Sequence, residues 1–576
     1  MKNFSMKGLS LIGVMIIIFV MTLMMTACNG NGGTHRETTQ APDNNDQATY
    51  SLIINSLGEG EFIEPENGEY QEGIIDITAE PESGWRFFKW EGEGIQEPQD
   101  ASTTILLSGD QEINAIFIED YDGDYNDDGF AGWEGTEDKP FLIKNAEQIN
   151  NIRNDYFDSH FYLIDDIDLE NLNDWLPIGW AENDEDRLVF RGFIDGRNYS
   201  INNLSINNEN ADRVGMFYRI DGAEIINLEI EGEMNVLKYS GLLAGEIIDS
   251  NLFNVTVRGE ISGDNHVGGL AGYIADSRIN DSGAYVEITG MENIGGIAGF
   301  IEKSEILTSY VNVDISATGR HIGGIAGVAR DTDIVDCLSS GKLYTSAIEI
   351  YDGEEDIQNA DIGGIVGGLY EGVFINKTIS YANIIGEGYS VGGIAGQSSG
   401  EIINSEAHGT VKGVFNVGGL IGINENTVKY SFATGKVVGE RDVGGLIGYN
   451  YNSKIEDNYS TGNVFGDINV GGLVGVNHGG IIRESFANGK VDGDTRTGGL
   501  IGWLNEPENS EVSYSYYDKE NTGQSDDEGK GIPKTTNEML QQVTFEPEWD
   551  FDNIWQIDEG SSYPYFQWQN NNIPSP

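Results

Sequence analysis

Basic residues are scarce in this 576-residue chain: 32 Lys and Arg stand against 95 Asp and Glu, a formal net charge of −63. Nucleic acid and anionic lipid surfaces are bound by neutralising phosphates with basic groups, so such partners are excluded as a main function. The acidity reads as a well-solvated exterior that attracts cations. Proline is also scarce, 12 residues against 78 Gly, and Gly does not recur at every third position, which excludes a collagen-type fibre and points to regular turns. Only two cysteines occur, Cys28 and Cys337, so no disulfide framework is available. Cys337 lies in the alternating run Ile334-Val335-Asp336-Cys337-Leu338 and reads as a buried small hydrophobe without a catalytic partner. A single compact core does not extend to this length, so several units or an extended array are required.

What is present begins with an export signal. Lys2 and Lys7 precede an apolar run, Leu9 to Met25, that ends in Met25-Thr26-Ala27-Cys28. Small residues ahead of a cysteine resemble the lipobox of bacterial lipoproteins, with Met25 where Leu is usual. The resemblance implies cleavage after residue 27 and a diacylglycerol on Cys28, which anchors the chain to a membrane. The other reading is an uncleaved transmembrane anchor, since 17 apolar residues just suffice to span. The next segment favours the lipoprotein: residues 28–48 are rich in Asn, Gly, Thr and Asp without apolar periodicity, as a linker is. Both readings place the remainder outside the cytoplasmic membrane.

Residues 49–119 contain short alternating runs, among them Tyr50-Ser-Leu-Ile-Ile and Ile113-Asn-Ala-Ile-Phe-Ile, separated by Gly- and Pro-bearing turns, and predict a small β domain. Gly58-Glu59-Gly60, the turn Ala79 to Gly84, and Phe87-Phe88-Lys89-Trp90-Glu91-Gly92 resemble the divergent internalin-type B-repeat of bacterial surface proteins. Trp90 reads as core. The acidic junction 120–134 holds Asp124, Asn126 and Asp128 followed by Gly129, the first half of a calcium loop in which alternate oxygens face the ion. The twelfth position is Gly135, and Glu134 falls one residue early. Two readings stand: a structural Ca²⁺ that stiffens the joint, or a solvated acidic linker.

Residues 135–515 carry the decisive pattern. A hexapeptide of the type Val443-Gly-Gly-Leu-Ile-Gly448 recurs eleven times from Val214 to Thr497, with offsets of 26 to 29 residues and one exception of 40. A period in the twenties, filled with short β segments and Gly/Asn turns, means a solenoid. The fold expected is all-β: a parallel, right-handed β-helix preceded by the small β-rich domain. Val443 and Leu446 are three apart and share an interior only if the chain bends between them. The glycine pair therefore marks a corner, either where a Cβ would clash or where the backbone needs positive φ. No Lys-Ser/Thr comes after it, so a phosphate loop is excluded.

The hexapeptides resemble the GLUG motif of bacterial surface proteins, and the likeness extends from about Gly135 to Trp568. Asn145-Ala-Glu-Gln148 and Thr535-Thr-Asn-Glu538 predict capped helices over Asn145–Arg153 and Thr536–Gln542, read as plugs at the two ends, with 516–576 as carboxy-terminal cap and tail. The late aromatics Trp549, Phe551, Trp555, Tyr563, Phe566 and Trp568 read as cap packing.

GLUG repeats also accompany IgA1-specific metallopeptidases, but none of the six histidines begins His-Glu-x-x-His and no two lie closer than 55 residues. No Gly-x-Ser-x-Gly elbow with a matching triad is found. The resemblance implies a non-catalytic, lipid-anchored adhesion or display scaffold at the cell surface, with an unidentified glycan or protein ligand and no nucleic acid. The alternative is a polysaccharide lyase or glycosidase on a β-helix. A ligand loop would lie at the irregular coil, where Arg320, His321, Arg330 and Asp333 gather scarce basic groups ahead of an insertion around Tyr351 to Asp356.

Overall fold

The computed structural model describes residues 49–119 and 129–569, apart from 59, 83–84, 93, 99, 131–133, 173, 184–186, 347–359 and 526–529. The export signal with Cys28, the linker, the Asp124/Asn126/Asp128 group and the Tyr351–Asp356 insertion lie outside the described residues. The chain divides into two compact units, up to Asp120 and from Tyr121 onward.

The first unit has seven strands: β1 (Thr49–Leu57), β2 (Gly60–Glu64), β3 (Gly68–Gln71), β4 (Gly73–Pro81), β5 (Trp85–Glu91), β6 (Ser102–Leu107) and β7 (Gln111–Glu119). They form a four-stranded sheet, β3-β1-β7-β5, and a three-stranded sheet, β2-β4-β6. Alternation delivers Leu52, Ile54, Ile77, Ile105 and Ile113 to a single core that includes Trp90. The Trp90 indole N–H is satisfied by the Asp100 carbonyl at 3.1 Å, so this ring is structural.

The second unit is a parallel β-solenoid. Strands ahead of the glycine pairs stack as one eleven-stranded sheet, strands after them as another, and the rest of each coil forms a broad third sheet. The glycines line up in one column: Gly268 is in register with Gly295, Gly295 with Gly323, and so on to Gly471 with Gly498. Val443 and Leu446 are both fully buried, on the two sides of the bend. Of the two reasons for glycine at the corner, crowding is the operative one. Neither Gly444 nor Gly445 has positive φ. A Cβ on Gly444 would strike the Ile447 carbonyl, one on Gly445 the Gly472 carbonyl of the next coil, and one on Gly448 would lie 2.5 Å from the Asn416 carbonyl carbon of the coil before. The left-handed residue is instead a non-glycine just ahead of the motif: His266, Asn293 and His321 at φ 55, Asp442 at 59, Asn469 at 57. Short polar side chains tolerate that region best, which explains much of what occupies the column.

Other turns are tied coil to coil by buried hydroxyls. Ser282 N donates to Ser309 Oγ at 3.2 Å, Ser405 N to Ser431 Oγ at 3.1 Å, and Ser431 N to Asn458 Oδ1 at 2.9 Å. Cys337 occupies a rung of this ladder. Its thiol faces the carbonyls of Val335 at 3.3 Å and Ile306 at 3.4 Å and takes the Ser309 N–H. It is buried in the solenoid core, as alternation suggests, and there it also takes the place of a serine.

The ends differ from simple plugs. The amino-terminal helix is Ala146–Asn151, shorter than expected, with Asn145 capping Gln148 N. The carboxy-terminal helix is Thr536–Met539, closed by a full Thr535/Glu538 capping box. The segment after it lies along the flank of the last coils, where Phe432, Tyr459, Phe486 and Tyr516 stand in one column. Trp549, Trp555, Tyr563 and Phe566 bury themselves against these rings in a core separate from the solenoid interior.

Candidate functional site

The corner column acquires chemistry at the irregular coil. His321, left-handed at φ 55, precedes Ile322; Asp361 holds the same place ahead of Ile362, which is in register with Ile322 one coil on. Nε2 of His321 lies 3.4 Å from Oδ2 of Asp361. The ring fits because the outward column, Tyr273 and Phe300 in earlier coils, has shrunk to Gly368, where a Cβ would lie 2.8 Å from Cδ2 of His321.

The orientation of the Asn293 amide favours one tautomer of His321. His321 Nδ1 is 3.0 Å from Asn293 Oδ1, an acceptor, while the Asn293 amide nitrogen faces His266 Nε2 at 3.4 Å. In that arrangement Nδ1 carries the proton and Nε2 is bare. It faces Asp361 and, at 3.5 Å, the Tyr370 hydroxyl. Burial, with the charge of Arg320, holds the His321 pKa down to about 4. Burial pushes the Asp361 carboxyl up to about 7, opposed by Ser390 and Arg320. Ser390 is in register with Asp361, but Oδ1 of Asp361 and Oγ of Ser390 are both buried without a hydrogen-bond partner, so Ser390 influences the carboxyl without full hydrogen-bond geometry. Between about pH 4 and pH 7 the arrangement is a neutral acid beside a neutral imidazole. A carboxylic acid that keeps its proton to near neutrality is suited to proton transfer.

Of the four residues expected from the sequence, three gather here. Arg320 charges the pair, His321 is its centre, and the Arg330 guanidinium lies 5.5 Å from the centre of the exposed Tyr370 ring. Asp333 stands elsewhere, on the broad sheet in register with Glu305 and Phe374, its carboxyl pushed up by burial and the Glu305 charge. Asn293, Asp361, Tyr370 and Ser390 escaped sequence reasoning. The available signal was positional: Asp361 and Ser390 occupy the place directly ahead of their hexapeptides that His321 occupies in its own.

His408 and His478 serve separate coils. His408 bridges Glu406 Oε2 at 2.7 Å and Thr434 Oγ1 at 2.8 Å, and His478 contacts the Tyr449 hydroxyl at 2.9 Å. Among the described residues no group of three or more His, Cys, Asp or Glu side chains is placed to hold a metal ion. A groove beside the long strands is lined by Glu233, Glu260 and Glu287 with hydroxyls and amides, and no basic residue.

Residues 50–120 match the family described as the divergent InlB B-repeat domain, and residues 439–464 and 466–492 match the GLUG motif. A protein of Evansella cellulosilytica named as a Gly-rich membrane protein is 33% identical over 124 residues, 21% of this chain; the chain spans 14% of that relative's length. Two solved structures are similar. An IgA1 protease matches with TM-score 0.33 and 14% identity over 62% of this chain and 29% of that one. A crystal structure titled as an immunoglobulin A1 protease from Bacteroides ovatus matches with TM-score 0.21 and 16% identity over 77% and 96% of the two chains.

Proposed function

We propose that this β-helix repeat protein is a lipid-anchored, extracytoplasmic scaffold that displays a binding surface, with Cys28 as the anchoring residue. The observation that carries the reading is the coil stack itself: eleven coils keep one corner column while their outward positions vary freely. That arrangement suits a rigid support for surface recognition. The surface-type repeat families and the membrane-protein name of the relative support the location. The test is a screen of the full chain against glycan and host-protein arrays, with Cys28→Ser tested for release from the membrane fraction. Binding without turnover and release of the variant are expected; an array without a single ligand overturns the display role.

A second reading is favoured by one observation, the protonated Asp361 beside the bare Nε2 of His321. It is acid–base cleavage of a polysaccharide at that corner. New reducing or unsaturated ends, lost in Asp361→Asn, support it; their absence from incubations with the glycans that the arrays identify eliminates it.

A further inference from the structure

We infer that the broad sheet carries a notch for two sugar rings of an uncharged glycan, between Tyr285 and Tyr381. This rests on the display reading and gives it a site and a ligand class.

One outward column runs through Arg258, Tyr285, Asn312, Ser340, Tyr381 and His408, each residue one coil beyond the last. At its start the Arg258 guanidinium, held by Glu229 at 2.7 Å, lies 4.1 Å from the centre of the Tyr285 ring. One face of Tyr285 is thereby covered, and the other looks along the stack toward Asn312. At its far end Tyr381 stacks on His408, 4.9 Å between centres and 18° between planes. His408 is itself fixed by Glu406 and Thr434, so the free face of Tyr381 looks back toward Ser340. Two aromatic faces thus point at each other across a stretch in which two rungs of the ladder are short and polar. With coils about 4.8 Å apart, three steps separate the tyrosines by about 14 Å, the depth of two further rungs.

The neighbouring large ring does not fill the gap. Tyr310 turns back over Gly283, where its ring meets Tyr285 at 5.7 Å and 61°, and its hydroxyl reaches Thr256 Oγ1 at 3.2 Å, in the coil before Tyr285 and away from Asn312. The floor is an exposed amide, Asn312, and the half-buried Ser340 hydroxyl, which donates to Val311 O at 3.1 Å and can still accept. One wall is the exposed Leu338, the other the Lys342–Asp314 pair at 3.8 Å. Apolar faces above and below with hydroxyl and amide partners at the side match the two kinds of surface on a pyranose ring. A chain charge of −63 repels polyanions, which leaves uncharged sugars.

The test is calorimetric titration of the full chain with uncharged hexasaccharides of glucose, N-acetylglucosamine and mannose. Tyr285→Ala and Tyr381→Ala should each weaken binding at least tenfold. Ser340→Trp, which fills the gap and keeps both tyrosines, should abolish it while thermal unfolding stays unchanged. Tyr451→Ala, an exposed ring on another sheet, should bind as the parent does. Hexasaccharide binding indifferent to all three notch variants overturns the site and leaves the display reading standing. No hexasaccharide binding, with a Tyr381-dependent protein hit on the arrays, overturns the sugar assignment alone. Silence on every array overturns both.

Discussion

His321 and Asp361 meet across 40 residues of sequence at 3.4 Å, and each shifts in the direction that removes its charge. Their effects on stability oppose each other. His321 falls from 6.5 to about 4, so between those values the unfolded chain binds a proton that the folded one refuses, and stability rises with pH. Asp361 rises from 3.8 to about 7, so over that range the folded chain holds the extra proton, and stability falls as pH rises. Near pH 5 the two slopes offset. Asp361→Asn removes only the falling slope, so its urea midpoint should climb relative to the parent from pH 4 to 8, by the equivalent of about 4 kcal/mol for three pKa units. Midpoint differences that stay flat over this range refute the buried-acid assignment.

The glycine corner makes a second, sharper prediction. Gly444→Ala places a methyl into the Ile447 carbonyl with backbone on all sides, whereas Gly222→Ala, at φ +79, meets nothing within 4 Å. The first therefore costs at least about 3 kcal/mol through forced backbone shifts. The second costs about 1–2 kcal/mol, from conformational strain alone. Chemical denaturation of the two variants side by side checks the order.

How far the sequence discloses this molecule depends on where each cause resides. The period and the bend at Gly444-Gly445 were legible because they recur along the chain every 26 to 29 residues. The reason for those glycines was not, since the atoms that exclude a Cβ are the Ile447 carbonyl folded back by the bend and backbone of the neighbouring coils, among them Gly472 and Asn416. The same holds for His321: its basic neighbours are local in sequence, but Asp361 and Asn293 become partners only when coils are laid in register. The flank packing of Trp549 and Trp555 was hidden in the same way, because the column they cover, Phe432, Tyr459 and Phe486, is spread over three repeats.

Cys337 should behave as a serine rung. Cys337→Ser keeps an acceptor for the Ser309 N–H and should alter stability by less than about 1 kcal/mol, whereas Cys337→Ala strands that buried donor and should cost about 1–3 kcal/mol. Burial also pushes the thiol up to about 12. With the Cys28→Ser background used to leave one thiol, a disulfide reagent at pH 8 should report almost none in the native state and one after unfolding. Rapid native reaction contradicts the buried rung.

Trp555 tests whether the carboxy-terminal segment stabilises a flank or merely trails the last coil. Its indole N–H donates to Asp457 Oδ1 at 2.8 Å, and its ring sits 4.5 Å from Phe566 and 6.2 Å from Phe486. Trp555→Ala removes a large buried ring and leaves the Asp457 carboxyl, already raised to about 7 by burial, without that donor. The expected loss is about 3–5 kcal/mol. Because each coil of a solenoid contacts mainly its neighbours, the damage should stay near the flank. Hydrogen exchange should accelerate in the strands around Phe432, Tyr459 and Phe486, while those around Ile274 and Ile301 keep their protection. Uniform acceleration along the stack would mean that the segment is coupled to the whole solenoid, and equal protection everywhere would mean that the flank needs no cover.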